Sequence, residues 1–263
     1  MDFMWVTRSF EKCAVYYLGD AIINAAAIVS TLLLAERFDG LGPWSKAHVV
    51  FMLGYAAMTT GLLEIFCGYN VLYIGRRLGR GQFDHTLLQP QPIWMALLTD
   101  GFNPFGASSA FLTGLGLAFW ACQSLSIVVN MGWLVLCVCN LLASATVVLA
   151  VSFFWGSLAF FAPRAAEEIN TPLIRMFDHV KLFPLDGLSG VMLGGLLTVV
   201  PVGFVAWYPC RALLGHAAAW YAVWLTPLAA VLLALLAVAM FRRGMYHYAC
   251  IGSSRYRDMG HRG

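Results

Sequence analysis

Few side chains in this 263-residue chain are equipped for chemistry, and several of them sit inside apolar runs. Asp20 and Asn24 are one helical turn apart in the first such run, so they share a face. Glu64 lies in the second, with Thr60, Gly61, Cys67 and Gly68 as its i−4, i−3, i+3 and i+4 neighbours. A polar group within a lipid-embedded helix is costly unless it faces other helices or water. Asp20, Asn24 and Glu64 are therefore candidates to line a substrate path. For Glu64 the small neighbours equally suit a hydrogen bond between closely packed helices or a place near the interface, and that reading is favoured.

Catalytic patterns are missing. Gly106-Ala107-Ser108-Ser109-Ala110 has the outline of a serine nucleophile turn, but hydrolysis within a membrane needs a histidine at similar depth. His48, His85, His179, His216, His247 and His261 all fall at run ends, in polar stretches or in the tail, so the serines read as small packing residues. There is no G-x-x-x-x-G-K-[ST] loop and no H-E-x-x-H, and Gly75, Gly79 and Gly81 form no dinucleotide fingerprint. Cys137-Val138-Cys139 lacks the C-x-x-C spacing of redox or zinc sites, and the seven cysteines read as small lipid-buried side chains. No catalytic residue, metal site, resident cofactor or nucleic-acid surface is expected.

The elements that must carry these residues are membrane helices. Hydrophobic residues make up 60% of the chain and charged residues 11%, against about 25% charged in a soluble domain; the mean hydropathy is +0.76. A hydrocarbon core of about 30 Å needs about 20 apolar helical residues. The expected fold is an all-α polytopic membrane protein with six spans, near residues 15–35, 48–74, 105–128, 133–154, 187–205 and 220–241. Residues 1–13 read as an interfacial helix with Trp5 at headgroup level. The second span is longer than the hydrocarbon needs, so it tilts or projects. Residues 101–163 hold no Asp, Glu, Lys or Arg and suit a hairpin broken at Asn130-Met131-Gly132. Gly190 and Gly194 form a G-x-x-x-G that allows close backbone approach.

Two polar interruptions stand out. Residues 162–186 carry Ile169, Leu173, Met176, Phe177 and Val180 at 3–4 spacing, as an amphipathic segment on the membrane surface would, with Pro172 kinking or restarting it. Residues 75–101 contain Leu88-Gln89-Pro90-Gln91-Pro92, which cannot continue a helix, followed by a helix start at Ile93. Helix, tight bend and second helix make an elbow suited to receiving force. Six spans place thirteen of the sixteen Lys and Arg on one side, leaving only Arg37, Lys46 and Arg211 on the other. The positive-inside rule then puts both termini, both interruptions and the tail 242–263 in the cytoplasm, the setting being a bacterial plasma (inner) membrane. Arg76, Arg77 and Arg80 fix this topology and suit anionic lipid.

Gly81-Gln82-Phe83-Asp84-His85-Thr86-Leu87-Leu88-Gln89-Pro90-Gln91-Pro92-Ile93 resembles the G-x-L-D-x-x-L-L-R-P-x-x-P signature of ABC-2-type transporter permeases. The likeness continues in Phe183-Pro184, in Pro201 to Pro209 followed by Leu214-Gly215, and in Arg243-Gly244 with Tyr246 to Gly252. Phe83 replaces the usual Leu, and Gln89 stands where the family often has Arg. The resemblance implies a type V exporter-like permease that pairs with a second permease chain, often a related but different one. Two separate ATPase subunits would bind ATP and Mg and drive it. It further implies a docking surface at Phe83, Asp84, Leu87, Leu88, Pro90 and Pro92. Asp20 and Glu64 are the only acids within the expected spans, and the oily path favours a hydrophobic or amphipathic, drug- or lipid-like cargo.

Two other classes fit the sequence less well. A secondary transporter or channel should show two matching halves with broken helices, and no repeat of that kind is visible. A non-transporting membrane scaffold or membrane enzyme is third, and no convergent polar site supports the enzyme.

Overall fold

The computed structural model describes residues 43–79, 108–217 and 219–251 continuously, with isolated positions between 14 and 36 and between 85 and 102. Among the described residues there is no β-strand. Seven helices are delimited there: α1 Lys46–Gly79, α2 Ser108–Ser124, α3 Met131–Gly156, α4 Pro163–Val180, α5 Gly190–Thr198, α6 Trp207–Leu213 and α7 Leu225–Ile251. Short 3-10 turns occupy Ser157–Phe160, Val202–Phe204 and Trp220–Trp224. The all-α polytopic expectation holds, and Lys46–Cys67, Met131–Phe160 and Tyr221–Cys250 are each long and apolar enough to cross a membrane.

The described positions between 14 and 36 are helical, and Val15, Leu18, Ile22, Val29 and Leu33 form an exposed apolar stripe at helical spacing. The expected interfacial helix at 1–13 lies outside the described residues, as do Asp20 and Asn24.

Helix α1 is the axis of the bundle. Its 34 residues make about 51 Å at 1.5 Å each, so it projects well beyond a hydrocarbon core. It packs most extensively on α2, and glycines make that possible. A Cβ at Gly54 would lie 2.7 Å from the Gly114 carbonyl oxygen, and one at Gly61 would lie 2.5 Å from the Phe111 nitrogen. Only residues without side chains admit backbones so close. The α2–α3 hairpin breaks as expected: Asn130 caps α3 by accepting from the Trp133 N–H at 2.7 Å, and Ser126 turns the chain with φ 51°. Tyr55 and Ser144 then join α1 to α3 through buried hydroxyls 3.0 Å apart.

The second half of the chain departs from the expected layout. Residues 162–186 do not lie across one surface. Ala166 packs with Phe160 at the Gly156 end of the bundle, and Ile174 and Phe177 pack with Leu63 and Cys67 of α1. Lys181 reaches Thr60, and Asp186 reaches Trp44 at the opposite end. The segment therefore climbs along α1 from Cys67 to the Trp44 end. Its polar face keeps its overall hydropathy low and so suggests a surface segment, although its apolar face is buried like that of any core helix. Pro172 neither stops nor restarts α4, which runs unbroken from Pro163 to Val180.

Conversely, residues 187–205 are not one span. Helix α5 has nine residues and ends at Thr198; the chain turns through Val199, Val200 and Pro201 into the 3-10 turn. The Phe204 carbonyl, buried in the bundle, accepts from Ser144 Oγ at 3.0 Å. From there α6 returns to the end where it began: the Leu213 carbonyl accepts from Trp133 Nε1 at 3.2 Å. Pro201 removes a helical donor at the bend, which explains the break. The G-x-x-x-G glycines Gly190 and Gly194 meet nothing within 4 Å, so close packing within this chain falls to Gly54, Gly61 and Gly114 instead.

Helix α7 also outruns its expected end at residue 241 and continues through Arg242 and Arg243 to Ile251. Gly244 is buried there because a Cβ would overlap the Phe160 ring. Cys67, Cys122 and Cys210 are free and buried within the bundle, while Cys139 is free and exposed on the apolar helix α3 and Cys250 is free and exposed at the end of α7.

Candidate functional site

The elbow is anchored from below and open above. Pro92 begins a new helical turn, its carbonyl accepting from the Ala96 N–H at 3.0 Å. Ile93 packs on the cluster of Ala159, Phe160 and Ala166, and Ala96 is buried. On the other side of the bend Leu87 is exposed and Leu88 is 82% exposed, with Pro90 and Pro92 also exposed. Four of the six expected docking residues thus present themselves outward from a fixed base at the Gly156 end. Phe83 and Asp84 lie outside the described residues.

Glu64 occupies a different place. It lines a cavity of about 60 Å³ between α1, α3 and α4, together with Thr59, Thr60, Asp178 and Lys181. Lys181 is 11% exposed; its Nζ donates to Thr60 Oγ1 and to Asp178 Oδ1, each at 2.7 Å. Thr60 is one turn from Glu64 on α1, so two acids and a lysine converge beside one cavity. Thr60 lies about 21 Å along α1 from Lys46 at 1.5 Å per residue, near the middle of the helix; Lys181 is mostly buried there, whereas Glu64 and half of Asp178 are exposed. Ionisable groups midway along a membrane helix are retained when paired or facing water. Sequence reasoning placed Lys181 on a surface segment and so missed this grouping. The i, i+3 spacing of Asp178 and Lys181 was the available signal.

At the opposite end Asp186 ties three elements together. Its Oδ2 accepts from Trp44 Nε1 at 2.5 Å and from Trp207 Nε1 at 2.6 Å, while Oδ1 pairs with an Arg211 Nη at 3.1 Å. The Arg211 guanidinium also lies over the Trp207 ring, 5.3 Å from its centroid. Both indoles are almost fully buried. The carboxylate therefore supplies the acceptors that two buried N–H groups require, and it fixes α6 to the start of α1. His48 and His216 meet edge to face beside Trp44, with ring centroids 4.5 Å apart and planes at 74°.

An all-helical bundle in which three described helices are long and apolar enough to cross a membrane is that of a polytopic membrane protein. The chain belongs to the ABC-2 family of transporter proteins, whose family model matches residues 21–252. It is a multi-pass membrane protein and a permease component of an ABC transporter, a component that is generally not catalytic itself and that partners with ATP-binding cassette subunits. No curated protein and no solved structure matches the chain significantly.

Proposed function

We propose that the chain is one of two permeases in an ABC exporter, paired with a second permease chain, a related but different one being favoured. Two ATPase subunits, which bind ATP and Mg, drive the pair from the Gly156 end. The observation that carries this reading is the elbow: a base fixed by Ile93 and Ala96 beneath an exposed apolar surface of Leu87, Leu88, Pro90 and Pro92. Exposed apolar side chains above a base packed on the bundle suit a protein partner. Phe83 and Asp84 complete the docking surface in this proposal. Closure of the ATPase pair on ATP then pushes the elbow against α4 and α7.

The path for cargo runs along α1 and α4, past Glu64, Asp178 and Lys181, with Asp20 and Asn24 on the first helix. Apolar walls with a few charges at depth favour a hydrophobic or amphipathic cargo, drug- or lipid-like. The membrane is a bacterial inner membrane, with both termini and the elbow cytoplasmic and the Asp186 end outside. Redrawing the fifth crossing as residues 163–186 keeps six crossings, and removing Arg175 and Lys181 from the cytoplasmic tally still leaves a strong positive-inside bias. Substituting Asp84 or Pro90 tests the coupling: transport-linked ATP hydrolysis should fall while membrane insertion persists, and unchanged hydrolysis removes the elbow from the mechanism.

A further inference from the structure

Helix α7 turns an apolar face outward, with Leu228, Val231, Leu232, Leu235 and Leu236 each more than half exposed. Beside that face, between α7 and α3, lies a cavity of about 780 Å³. Its walls are Leu149 and Phe153 of α3 and Ala234, Val238 and Phe241 of α7. Two features give it direction. Ile93 of the elbow lies at one end, in the cluster with Phe241 and Met245, and Arg242 stands at that same end. Along α7 the cavity runs from Ala234 to Met245, about 16 Å at 1.5 Å per residue, close to one leaflet of a hydrocarbon core about 30 Å thick.

We propose that this groove seats an acyl chain of an anionic phospholipid, with the headgroup phosphate on Arg242. The length of one leaflet, apolar walls and a cation at the interface end match that ligand in order. Arg242 is exposed, and among the described residues no ion pair to it is formed. A guanidinium at this depth recognises phosphate through paired N–H donors. A second protein helix is a poor occupant: over the same length a helix about 10 Å across fills well over 1,000 Å³. Because Ile93 borders both groove and elbow, the seated chain supports the elbow from beneath.

Native mass spectrometry of the full chain, purified with its bound subunits and incubated with equal amounts of phosphatidylglycerol and phosphatidylcholine, tests this. The wild type should retain phosphatidylglycerol preferentially. Arg242→Gln, on an exposed side chain, should lower the phosphatidylglycerol-to-phosphatidylcholine ratio at least fivefold. Ala234→Phe should lower retention of both lipids by filling the groove; if that variant misfolds, Val238→Trp, from an exposed position, takes its place. An unchanged ratio in Arg242→Gln overturns the proposal. So does unchanged retention in the filled variant, or a wild-type complex that holds no lipid because a protein surface covers the groove.

Discussion

Lys181 and Thr60, 121 positions apart in sequence, are joined by a 2.7 Å hydrogen bond from the lysine ammonium to the threonine hydroxyl. That bond places the end of α4 deep against α1 and shows that residues 163–186 climb the bundle. It also brings Asp178 and Lys181 to the cavity of Glu64. Replacing Lys181 with Met removes the part-buried bond to Thr60, while the half-exposed Asp178 is resolvated, so the cost should be about 0.5–1.5 kcal/mol. Thermal unfolding of the detergent-purified protein checks this. A melting temperature equal to wild type would mean that the pair is solvated and uncoupled from the fold.

The course of the chain after α4 is open to direct labelling. Ser189 is exposed and lies between Asp186 and the first turn of α5. In a chain whose own cysteines are replaced, Ser189→Cys should react with a membrane-impermeant maleimide added outside intact cells. Reaction only after permeabilisation would return this segment to the cytoplasmic face.

Asp186 should be the most sensitive carboxylate for stability. Asp186→Ala strands two buried indole N–H groups and the Arg211 charge, and should cost about 2–5 kcal/mol. Asp186→Asn keeps an acceptor for the indoles and should cost less. Equal melting temperatures for wild type and Asp186→Ala would contradict the role given to this node.

Glycine positions should separate cleanly. Gly61→Ala and Gly114→Ala force a Cβ against opposing backbone and should each destabilise by about 1–3 kcal/mol. Gly190→Ala and Gly194→Ala meet open space within the chain and should change the melting temperature little. Destabilisation of the purified single chain by the second pair would show that α5 packs more closely than described.

Much of the fold is legible in local chemistry. Asn130 marks the α2–α3 break because its side chain caps the helix, and Pro90 and Pro92 mark the elbow because neither supplies a helical donor. The uniformly apolar stretches of α1, α3 and α7 are read directly as crossings. What local patterns miss is α4, whose charges suggest a surface although Ile174 and Phe177 are buried in the core. The stretch from Gly187 to Val205 misleads the opposite way: it is apolar enough for a span, yet Pro201 folds it back, and the partners that hold the fold, Ser144 and Trp133, lie on another helix. The pairing of Glu64 with the Lys181 site depends on that same tertiary course. No periodicity within either helix contains it.

Docking of an ATPase on the exposed side of the elbow is open to direct test. Affinity purification of the tagged full chain from native membranes, with the co-purified ATP-binding cassette subunit measured against the chain itself, tests it most directly. Wild type should bring the subunit down. Leu88→Asp, which places a charge on a side chain already 82% exposed, should insert normally and reduce the recovered subunit at least tenfold. A Leu88→Asp chain that recovers the subunit as well as wild type would contradict the account.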